Sequence, residues 1–492
     1  MPTQKPNVLF IMADQIRWDA LAVNGADWMQ TPNLDRLARS GINFPNAFSP
    51  NPICVPARAS ITTGNYPHTA TGNKANSGRI GDDQAKLGEH FAAAGYRTYA
   101  MGKLHYVPYQ DPPLLHGLQT VELYESGRAR NAGFEIEDYY DYLEEVGYPN
   151  MIRAHGVGNN DVHPVPSPVP AEHYVDAWVT SRSIHHLKEH TSGPDRDKPF
   201  LMWASFPKPH SPYDPPEPYH RTYDPREVPR PWGSRELLED RDPTLRVRPD
   251  NFGWDTLSPE AIQVSRAYYH GCITFQDEQI GRLLDFLEEA RLRENTIVIY
   301  TTDHGDMLGD FGIFFKSNFL NGSVRIPMLI AAPGQIPEGE ERPHLVGLQD
   351  LLPTLTTMCH CPLPDAVQGA DLTPILRDGG AQGRELLFAQ CRQSPDQAYM
   401  VTDGRWKYIY TETHATEELY DQEEDPQELV NLAGRDDAET EGIKGRMKQA
   451  IIDFCRETGD DAMLDGDGLA CSYPDLEEYR KPRFSGLGDR PF

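Results

Sequence analysis

The stretch NVLFIMADQ, residues 7–15, decides the predicted fold class. Its residues 8–12 are all apolar, with no polar side chain at alternate positions. A strand with one face in water alternates apolar and polar residues, whereas an unbroken apolar run is typical of a strand buried on both faces. Such strands occur in parallel sheets, so this stretch predicts a sheet that is covered by helices on both sides.

The sequence beyond this stretch alternates strand-like and helical patterns. Strand-like runs recur at 97–101, 200–206, 295–301 and 326–332. Helical patterns occur at 31–40, 56–64, 82–94 and 259–290. This order predicts an α/β fold, in which a doubly wound, mostly parallel sheet is flanked by helices.

The pattern changes at about residue 380. Short strands are predicted at 385–390, 398–402 and 406–411, and Asp403-Gly404 between the last two indicates a hairpin turn. A helical pattern follows at 439–456. We therefore predict a catalytic α/β domain at 1–380 and a smaller α+β domain at 381–492, in which an antiparallel sheet carries a C-terminal helix.

The charge and cysteine content exclude some classes of protein. The 492 residues include 46 Lys and Arg against 74 Asp and Glu, which gives a net charge of −28. This balance argues against nucleic-acid binding, although a few local cations can still bind an anionic substrate. The seven cysteines are odd in number and scattered, which argues against a disulfide framework.

Apolar runs in the sequence are too short for a membrane span or for a signal peptide. We therefore expect a soluble protein without a membrane partner. As written the chain is expected to be cytoplasmic, and it would be periplasmic or secreted if a signal peptide had been trimmed.

Polar residues follow four predicted strands at the point where each strand ends. They are Asp14-Gln15, Lys103-Leu104-His105, Pro209-His210 and Asp303-His304-Gly305-Asp306. Ligands of open α/β sheets bind beyond the carboxyl ends of the strands. The oxygen atoms of Asp14, Gln15 and Asp303 suit a hard divalent cation, and a histidine nitrogen suits Mn²⁺ better than Ca²⁺. A single Asp after a strand can be only a helix cap, but the four groups together indicate a site.

Residues 54–64, CVPARASITTG, contain the pattern Cys-X-Pro-X-Arg followed by Thr-Gly. In this pattern and its position the chain resembles the type I sulfatases of the alkaline phosphatase superfamily. The resemblance spans most of the chain and includes 31–35 (TPNLD), Gly102-Lys103, 209–212 (PHSP), 303–305 (DHG), Lys316, 322–327 (GSVRIP) and 418–421 (ELYD) with the following Asp425-Pro426 and 428–431.

The resemblance implies that Cys54 is oxidised to formylglycine, whose hydrate is the nucleophile. It also implies a formylglycine-generating enzyme as a partner during maturation. The implied metal ligands are Asp14, Gln15, the converted Cys54, Asp303 and His304. Ca²⁺ is the expected metal and Mn²⁺ the alternative.

Chemical roles for the remaining residues follow from the implied reaction. Cys54 is expected at a helix N-terminus, which favours an anion, and Arg58 lies one turn later, where it can hold the nucleophile. Lys103 and Lys316 are expected to match the charge of the sulfate oxygens. His210 is expected to protonate the leaving alcohol, and His105 to assist or, by resemblance, to promote loss of sulfate from the hemiacetal.

Two other functions remain open at this point. Phosphonate monoester and phosphodiester hydrolases of the same superfamily also use formylglycine and carry Asp-Gln and Asp-His pairs, as Asp14-Gln15 and Asp303-His304 do here. They tend to have Tyr and Thr where this chain has Lys103 and His105, so we expect a sulfatase. An inactive relative that binds a sulfated glycan is the second alternative, and an unmodified Cys54 thiol would favour it.

Substrate specificity is expected in long loops. Segments 106–170 and 206–258 are the candidates, and 206–258 is expected to be an irregular surface excursion because it is rich in proline and charge. The substrate is expected to be a small-molecule or carbohydrate sulfate ester. The Pro-, Gly- and Arg-rich tail at 476–492 is either an arm for a partner or a homo-oligomer, or a loose end.

Overall fold

The computed structural model describes residues 5–109, 114–134 and 137–479. Its strands are β1 (Asn7–Asp14), β2 (Ile42–Asn43), β3 (Ala47–Phe48), β4 (Arg97–Gly102), β5 (Thr120–Leu123), β6 (Phe200–Pro209), β7 (Thr296–Thr302), β8 (Arg325–Ile326), β9 (Met328–Ala331), β10 (Glu340–Glu341), β11 (Val346–Gly347), β12 (Leu387–Cys391), β13 (Ala398–Thr402), β14 (Trp406–Thr411), β15 (Thr416–Asp421), β16 (Leu464–Asp465) and β17 (Gly468–Leu469). Its α-helices are α1 (Pro32–Arg39), α2 (Cys54–Thr63), α3 (Pro67–Thr71), α4 (Leu87–Ala93), α5 (Arg128–Asn131), α6 (Asp138–Glu145), α7 (Val175–Ser192), α8 (Pro243–Phe252), α9 (Pro259–Glu289), α10 (Asn321–Val324), α11 (Leu351–Met358), α12 (Thr373–Arg377) and α13 (Ala438–Thr458).

The main sheet has eight strands in the order β10-β2-β9-β7-β1-β6-β4-β5. The five strands from β7 to β5 are parallel to one another. β9 runs antiparallel to both β7 and β2. The predicted class, a mostly parallel sheet between helices, is confirmed.

The apolar run of β1 is explained by two different helix layers. Leu9 and Ile11 belong to a core that contains buried residues of α1, α7 and α9. Phe10 and Met12, which point to the opposite face, belong to a core that contains buried residues of α2, α4 and α11. Because both faces are covered by helices, no position in the strand favours a polar side chain.

The smaller sheet is antiparallel and has the order β12-β13-β14-β15. The hairpin predicted at Asp403-Gly404 joins β13 to β14. Apolar residues of α13, including Met447 and Ile451, pack with Val401 of this sheet. The chain therefore does build a second sheet with a C-terminal helix, and the division at residue 380 stays a prediction. Within the ranges described, no helix combines the length and apolarity that a bilayer crossing needs.

Several predicted elements differ from the structure, and the first two differ for local reasons. The helix predicted at 82–94 begins at Leu87, because Lys86 is extended and its ammonium binds the carbonyls of Asp82 and Gln84 in a turn. The strand predicted at 326–332 is divided at Pro327 into β8 and β9.

Other differences lie in segments without a clear period. The predicted excursion at 206–258 begins with the end of β6 and contains helix α8. Pro249 inside α8 obscured the helical pattern, while Asp242 caps the helix by accepting a hydrogen bond from the Thr244 amide. Strands β5 and β15 and helix α7 were not predicted. Residues 480–492 of the tail lie outside the described part of the chain.

Glycine is required where β4 ends beside β6. Gly102 has φ +101°, and a Cβ on it would lie 2.0 Å from the Ser205 carbonyl oxygen. The next residue is Lys103, whose amide donates to the same carbonyl (3.0 Å). The absence of a side chain at Gly102 therefore lets the chain turn tightly as it enters the predicted site.

Gly102→Ala is expected to lower the melting temperature more than Gly95→Ala. Gly95 also has a positive φ, +92°, but a Cβ there would meet no atom within 4 Å. Gly95→Ala should cost only about 1–2 kcal/mol for the left-handed backbone. Gly102→Ala adds a clash with backbone atoms, so its cost should exceed that of the control by at least about 1 kcal/mol. Calorimetry of the two variants makes the comparison, and equal melting temperatures would contradict the tight approach of β4 and β6.

Candidate active site

Cys54 is the first residue of helix α2 and is 1% exposed. Ile53 before it is extended, and the chain turns into the helix at Cys54. The backbone amides of the first turn have no acceptor within the helix. One of them, the Val55 amide, donates to Asn76 Oδ1 (3.1 Å). The Cys54 side chain therefore lies at the positive end of the helix dipole, as predicted.

The Cys54 sulfur lies between two nitrogen atoms. His304 Nε2 is 3.2 Å away, and Lys316 Nζ is 3.4 Å away. Burial and the negative charge of Asp14 raise the pKa of the Cys54 thiol, but Lys316, Lys103 and His304 lower it by more. The net result is a pKa of about 7, below the usual value. The surroundings thus favour an anion at this position.

Four buried groups at the strand ends form a potential metal-binding cluster. One ligand atom from each of Asp14, Cys54, Asp303 and His304 lies within 4.8 Å of the others. His304 Nδ1 donates to the Gly305 carbonyl (2.9 Å), so Nε2 is the ring nitrogen that faces the cluster. Asp14 Oδ1 is buried and has no hydrogen-bond partner among the described residues. An unpartnered carboxylate oxygen, with an imidazole nitrogen beside it, fits a divalent cation.

Arg58 connects the ends of four neighbouring strands. Its guanidinium donates to Asp303 Oδ2 after β7 (2.9 Å), to Asp14 Oδ2 in β1 (3.1 Å), to the Lys103 carbonyl after β4 (2.6 Å) and to Ser205 Oγ in β6 (3.1 Å). Burial lowers its pKa, but the carboxylates of Asp303 and Asp14 raise it above the usual value. These contacts hold the two carboxylates, and the role predicted for Arg58 on the nucleophile stays a prediction.

The two predicted lysines lie at different edges of the cluster. Lys103 Nζ donates to Asp14 Oδ2 (2.5 Å). Lys316 Nζ donates to Gln15 Oε1 (2.5 Å) as well as approaching Cys54. Burial would raise the pKa of Asp14, but Lys103, His210, Arg58 and Lys316 together hold it well below its usual value. Asp14 is therefore ionised near neutral pH.

Gln15 has a left-handed backbone, with φ 73°. Its Nε2 donates to Asp306 Oδ2 (2.6 Å), which leaves its Oε1 to accept from Lys316. The amide oxygen that was predicted as a metal ligand thus has a hydrogen-bond donor in this structure. Its role at a metal stays a prediction.

Both predicted histidines are buried and neutral near pH 7. Burial and then Lys316 depress the pKa of His210, and burial and then Lys103 depress that of His105, both well below the usual value. His210 Nδ1 donates to the Ser211 carbonyl (2.9 Å). His105 has φ 56°, and its Nδ1 has no partner among the described residues.

Residues without a predicted catalytic or metal-binding role hold the predicted ones in place. Glu125 accepts the amides of Leu104 and His105, both at 2.9 Å, and so fixes the turn after β4. Asp306 holds Gln15 and accepts a hydrogen bond from the Tyr213 hydroxyl (2.5 Å). The sequence analysis included Asp306 in the group after the fourth strand without giving it a role, whereas Glu125 carries no signal in the sequence.

Arg248 holds the loop that carries Lys316. From α8 it donates to the carbonyls of Lys316 (2.6 Å) and Ser317 (3.0 Å). The start of α8 is in turn held by the smaller sheet: the Asp242 carboxylate accepts from Arg392 after β12 (2.6 Å), and the Asp242 amide donates to Glu418 in β15 (3.0 Å). Lys316 is therefore supported from the C-terminal part of the chain.

Comparison with known proteins gives matches over nearly the whole chain. Residues 6–359 match the family model described as Sulfatase, and residues 309–457 match one described as N-sulphoglucosamine sulphohydrolase, C-terminal. An arylsulfatase of Clostridium perfringens is 31% identical over 96% of this chain and 98% of its own length. A choline-sulfatase of Rhizobium meliloti is 30% identical over 93% of this chain and 86% of its own length.

Solved structures share the fold at lower identity. The phosphonate monoester hydrolase of Agrobacterium radiobacter superposes with a TM-score of 0.81 and covers 96% of this chain and 100% of its own. Its sequence is 24% identical. This similarity supports the fold described above and does not distinguish between substrates.

Arg58→Met is expected to lower the melting temperature strongly, whereas Arg36→Met should not. Methionine keeps an apolar chain in place of Arg58 but removes the charge between Asp14 and Asp303, and breaking a buried ion pair costs about 3–5 kcal/mol. Arg36 pairs with Asp285 at the surface, where the side chains are 42% and 58% exposed. Exposed pairs contribute about 0–1 kcal/mol. Calorimetry of both variants with a chelator present tests this, and similar melting temperatures would show that Arg58 does not stabilise the strand ends.

Proposed function

Because the chain belongs to the sulfatase family, we propose that it hydrolyses a sulfate ester with a nucleophile made from Cys54. The observation that carries the proposal is the position of Cys54, at the start of α2 and inside the cluster with Asp14, Asp303 and His304. The reaction class is that of the family. We propose the identity of the nucleophile, the identity of the metal and the role of each residue.

The Cys54 sulfur marks the place of the reacting oxygen. In the structure the residue is a cysteine, and its Sγ stands for a hydroxyl oxygen of the formylglycine hydrate. A formylglycine-generating enzyme would carry out the oxidation before the protein is active. The helix end, Lys316 and Lys103 already favour negative charge at this position, which is what an attacking alkoxide requires.

Asp14, Asp303, His304 and the converted Cys54 would hold one divalent cation. We propose Ca²⁺, because carboxylate oxygens dominate the set, and keep Mn²⁺ as the alternative because of the imidazole. When bound, the cation would lower the pKa of a hydroxyl on the converted Cys54 and offset the charge of the sulfate. Gln15 would join the ligands if its Oε1 exchanged Lys316 for the metal.

Lys103 and Lys316 are proposed to bind the sulfate oxygens. Both ammonium groups lie beside anionic partners of the cluster, Asp14 for Lys103 and the Cys54 position for Lys316. They are fixed before substrate arrives, so they need little reorganisation as charge moves towards the leaving oxygen.

His210 is proposed as the acid and His105 as the base of the second step. His210 is neutral in the free protein, so it must gain a proton when the anionic ester binds beside it. It then protonates the oxygen of the departing alcohol as the bond from sulfur to that oxygen breaks. His105, whose Nδ1 has no partner among the described residues, removes a proton from the remaining hydroxyl so that sulfate leaves and the aldehyde returns.

A phosphonate monoester or phosphodiester hydrolase is the second candidate. The pair Asp14-Gln15, in place of the Asp-Asp pair of many sulfatases, favours it by resemblance. Lys103 and His105 favour the sulfatase, since by resemblance the phosphonate enzymes tend to have Tyr and Thr there. A protein that only binds a sulfated glycan is a third candidate, and it requires that Cys54 stays unmodified.

Cys54 is expected to be converted when the chain is co-expressed with a formylglycine-generating enzyme. The side chain changes from CH₂SH to CHO, so the peptide with Cys54 loses one sulfur and two hydrogens and gains one oxygen. Mass spectrometry of a digest detects this change. The converted protein is then expected to hydrolyse 4-nitrophenyl sulfate with a higher kcat/KM than an aryl phosphonate monoester or an aryl phosphodiester.

Cys54→Ala, made in the same host, is the control and should have neither the mass change nor the activity. A higher kcat/KM for phosphonate or diester would overturn the preference for sulfate. A full mass change without turnover of any of the three esters would contradict the enzymatic function, and no mass change would favour the binding protein.

His210→Asn is expected to slow phenyl sulfate more than 4-nitrophenyl sulfate. Phenolate is the poorer leaving group and needs the proton more, so its kcat should fall by about 10²–10⁴-fold. Nitrophenolate leaves readily without a proton, and its loss should be smaller. Lys316→Met serves as the comparison, because it removes a proposed sulfate-binding group and should slow both esters by similar factors. Equal losses for both esters in His210→Asn would exclude His210 as the acid.

A further inference from the structure

Three side chains on the outer face of α7 form a second cluster of metal-ligating groups. They are His185, His186 and Glu189, and one ligand atom from each lies within 4.8 Å of the others. His185 Nε2 is 3.4 Å from Glu189 Oε1, and His186 Nδ1 is 3.4 Å from Glu189 Oε2. Residues three and four positions apart are neighbours on a helix, so the helix itself brings these groups together. Because α7 ends just before β6 begins, this half of the helix lies towards the amino ends of the strands, away from the cluster around Cys54.

Glu122 of strand β5 fixes the orientation of the His186 ring. Burial raises the pKa of Glu122, but hydrogen bonds from His186 and Arg182 lower it to about 2, so its carboxylate accepts hydrogen bonds near neutral pH. Its Oε1 lies 2.6 Å from His186 Nε2, which therefore carries a proton. The other ring nitrogen, Nδ1, faces Glu189. Metal-binding histidines usually donate their second ring N–H to a carboxylate in this way, which directs the remaining nitrogen at the ion.

Arg182 holds Glu122 in turn. It lies one turn before His186 in α7, and its guanidinium binds the carboxylate with two hydrogen bonds, from Nε to Oε2 (2.6 Å) and from Nη2 to Oε1 (2.6 Å). A two-point contact of this kind restricts both partners to one geometry. The side chains of Glu122 and His186 are only 18% and 14% exposed. The His186 ring is therefore held by protein contacts alone, with its Nδ1 on the side of His185 and Glu189.

The charges and the ligand types around this cluster favour a transition-metal cation. The hydrogen bond to Glu122 raises the pKa of Arg182, and so do the charges of Glu122, Glu189 and Glu145, so three carboxylates surround one guanidinium. Such an excess of acids attracts a cation. Two imidazole nitrogens and one carboxylate are ligands that suit Zn²⁺, whereas Ca²⁺ and Mg²⁺ prefer sets made of oxygen alone.

We propose that His185, His186 and Glu189 bind one Zn²⁺ ion and that Glu122 positions His186 for it. Water completes the tetrahedral set of four ligands. Through His186 and Glu122 the ion connects α7 to β5, the strand at one end of the main sheet. A His186 ring with protons on both nitrogens, paired with Glu122 and Glu189, is the competing explanation of the same contacts. The site is separate from the proposed hydrolysis and from the metal proposed at Cys54.

His185→Ala is expected to remove one Zn²⁺ site from the protein. Calorimetric titration of chelator-treated, dialysed protein with zinc chloride gives the number of bound ions. The wild type should bind one ion more than His185→Ala, whatever the cluster around Cys54 binds, because two protein ligands no longer complete the set. His163→Ala is the matched control. It also removes an exposed histidine that is paired with a carboxylate, Asp161, but this pair belongs to no three-ligand group among the described residues. Its Zn²⁺ stoichiometry should equal that of the wild type.

Glu122→Gln tests the positioning of His186. The amide keeps the shape of the carboxylate but not its charge, and loss of such a partner lowers metal affinity by about 10–100-fold. Melting temperatures measured with a chelator present report the fold of each variant separately from its Zn²⁺ affinity.

Three outcomes would contradict the proposal. Equal Zn²⁺ stoichiometry in the wild type and His185→Ala would refute the site and leave the doubly protonated His186 as the explanation of the contacts. An equal loss in His163→Ala would show non-specific binding to surface histidines and would refute the site as well. Unchanged Zn²⁺ affinity in Glu122→Gln would refute the positioning role of Glu122.

Discussion

The site depends on one buried side chain, Arg58. Its guanidinium binds groups from the ends of β7, β1, β6 and β4, which are four consecutive strands of the sheet. A buried guanidinium that lost one of these acceptors would be left with an unpaired donor, so the four strand ends are held at fixed distances from one another. Arg58 also lies one turn after Cys54 in α2, and the same contacts therefore fix where the helix begins.

Local charge at the site opposes the charge of the whole molecule. The chain carries −28, yet Lys103, Lys316 and Arg58 converge on the position of the Cys54 sulfur. Asp14 forms ion pairs with Lys103 and Arg58, and Asp303 forms a second ion pair with Arg58. These ion pairs hold the two cations in place. An anionic ester would meet these cations only inside the site, because the molecule as a whole is negatively charged.

The sequence predicted those features that depend on local patterns. The unbroken apolar run of β1 predicted a strand covered on both faces, and the residues after β1, β4, β6 and β7 do meet at one edge of the sheet. Contacts between distant segments were not predictable, because neither partner has an unusual local pattern: Glu125 binds the amides at 104 and 105, and Arg248 binds the carbonyls at 316 and 317. Helix α8 was not predicted, because Pro249 interrupts its helical pattern. The hydrogen bond from Lys316 to Gln15 likewise depends on side-chain geometry that spacing does not encode.

The support of Lys316 has a consequence for the modularity of the chain. The lysine loop is held by Arg248, α8 is held at Asp242, and Asp242 is bound by Arg392 and Glu418 from the antiparallel sheet. This sheet contributes no side chain to the cluster around Cys54, yet through α8 it supports the loop that carries Lys316. The α/β part also holds this loop, through the Phe315 amide on Asp306 (2.7 Å) and the Ser317 amide on the Pro52 carbonyl (3.0 Å). A chain cut before β12 would keep these contacts and lose the support that reaches Lys316 through Arg248 and α8.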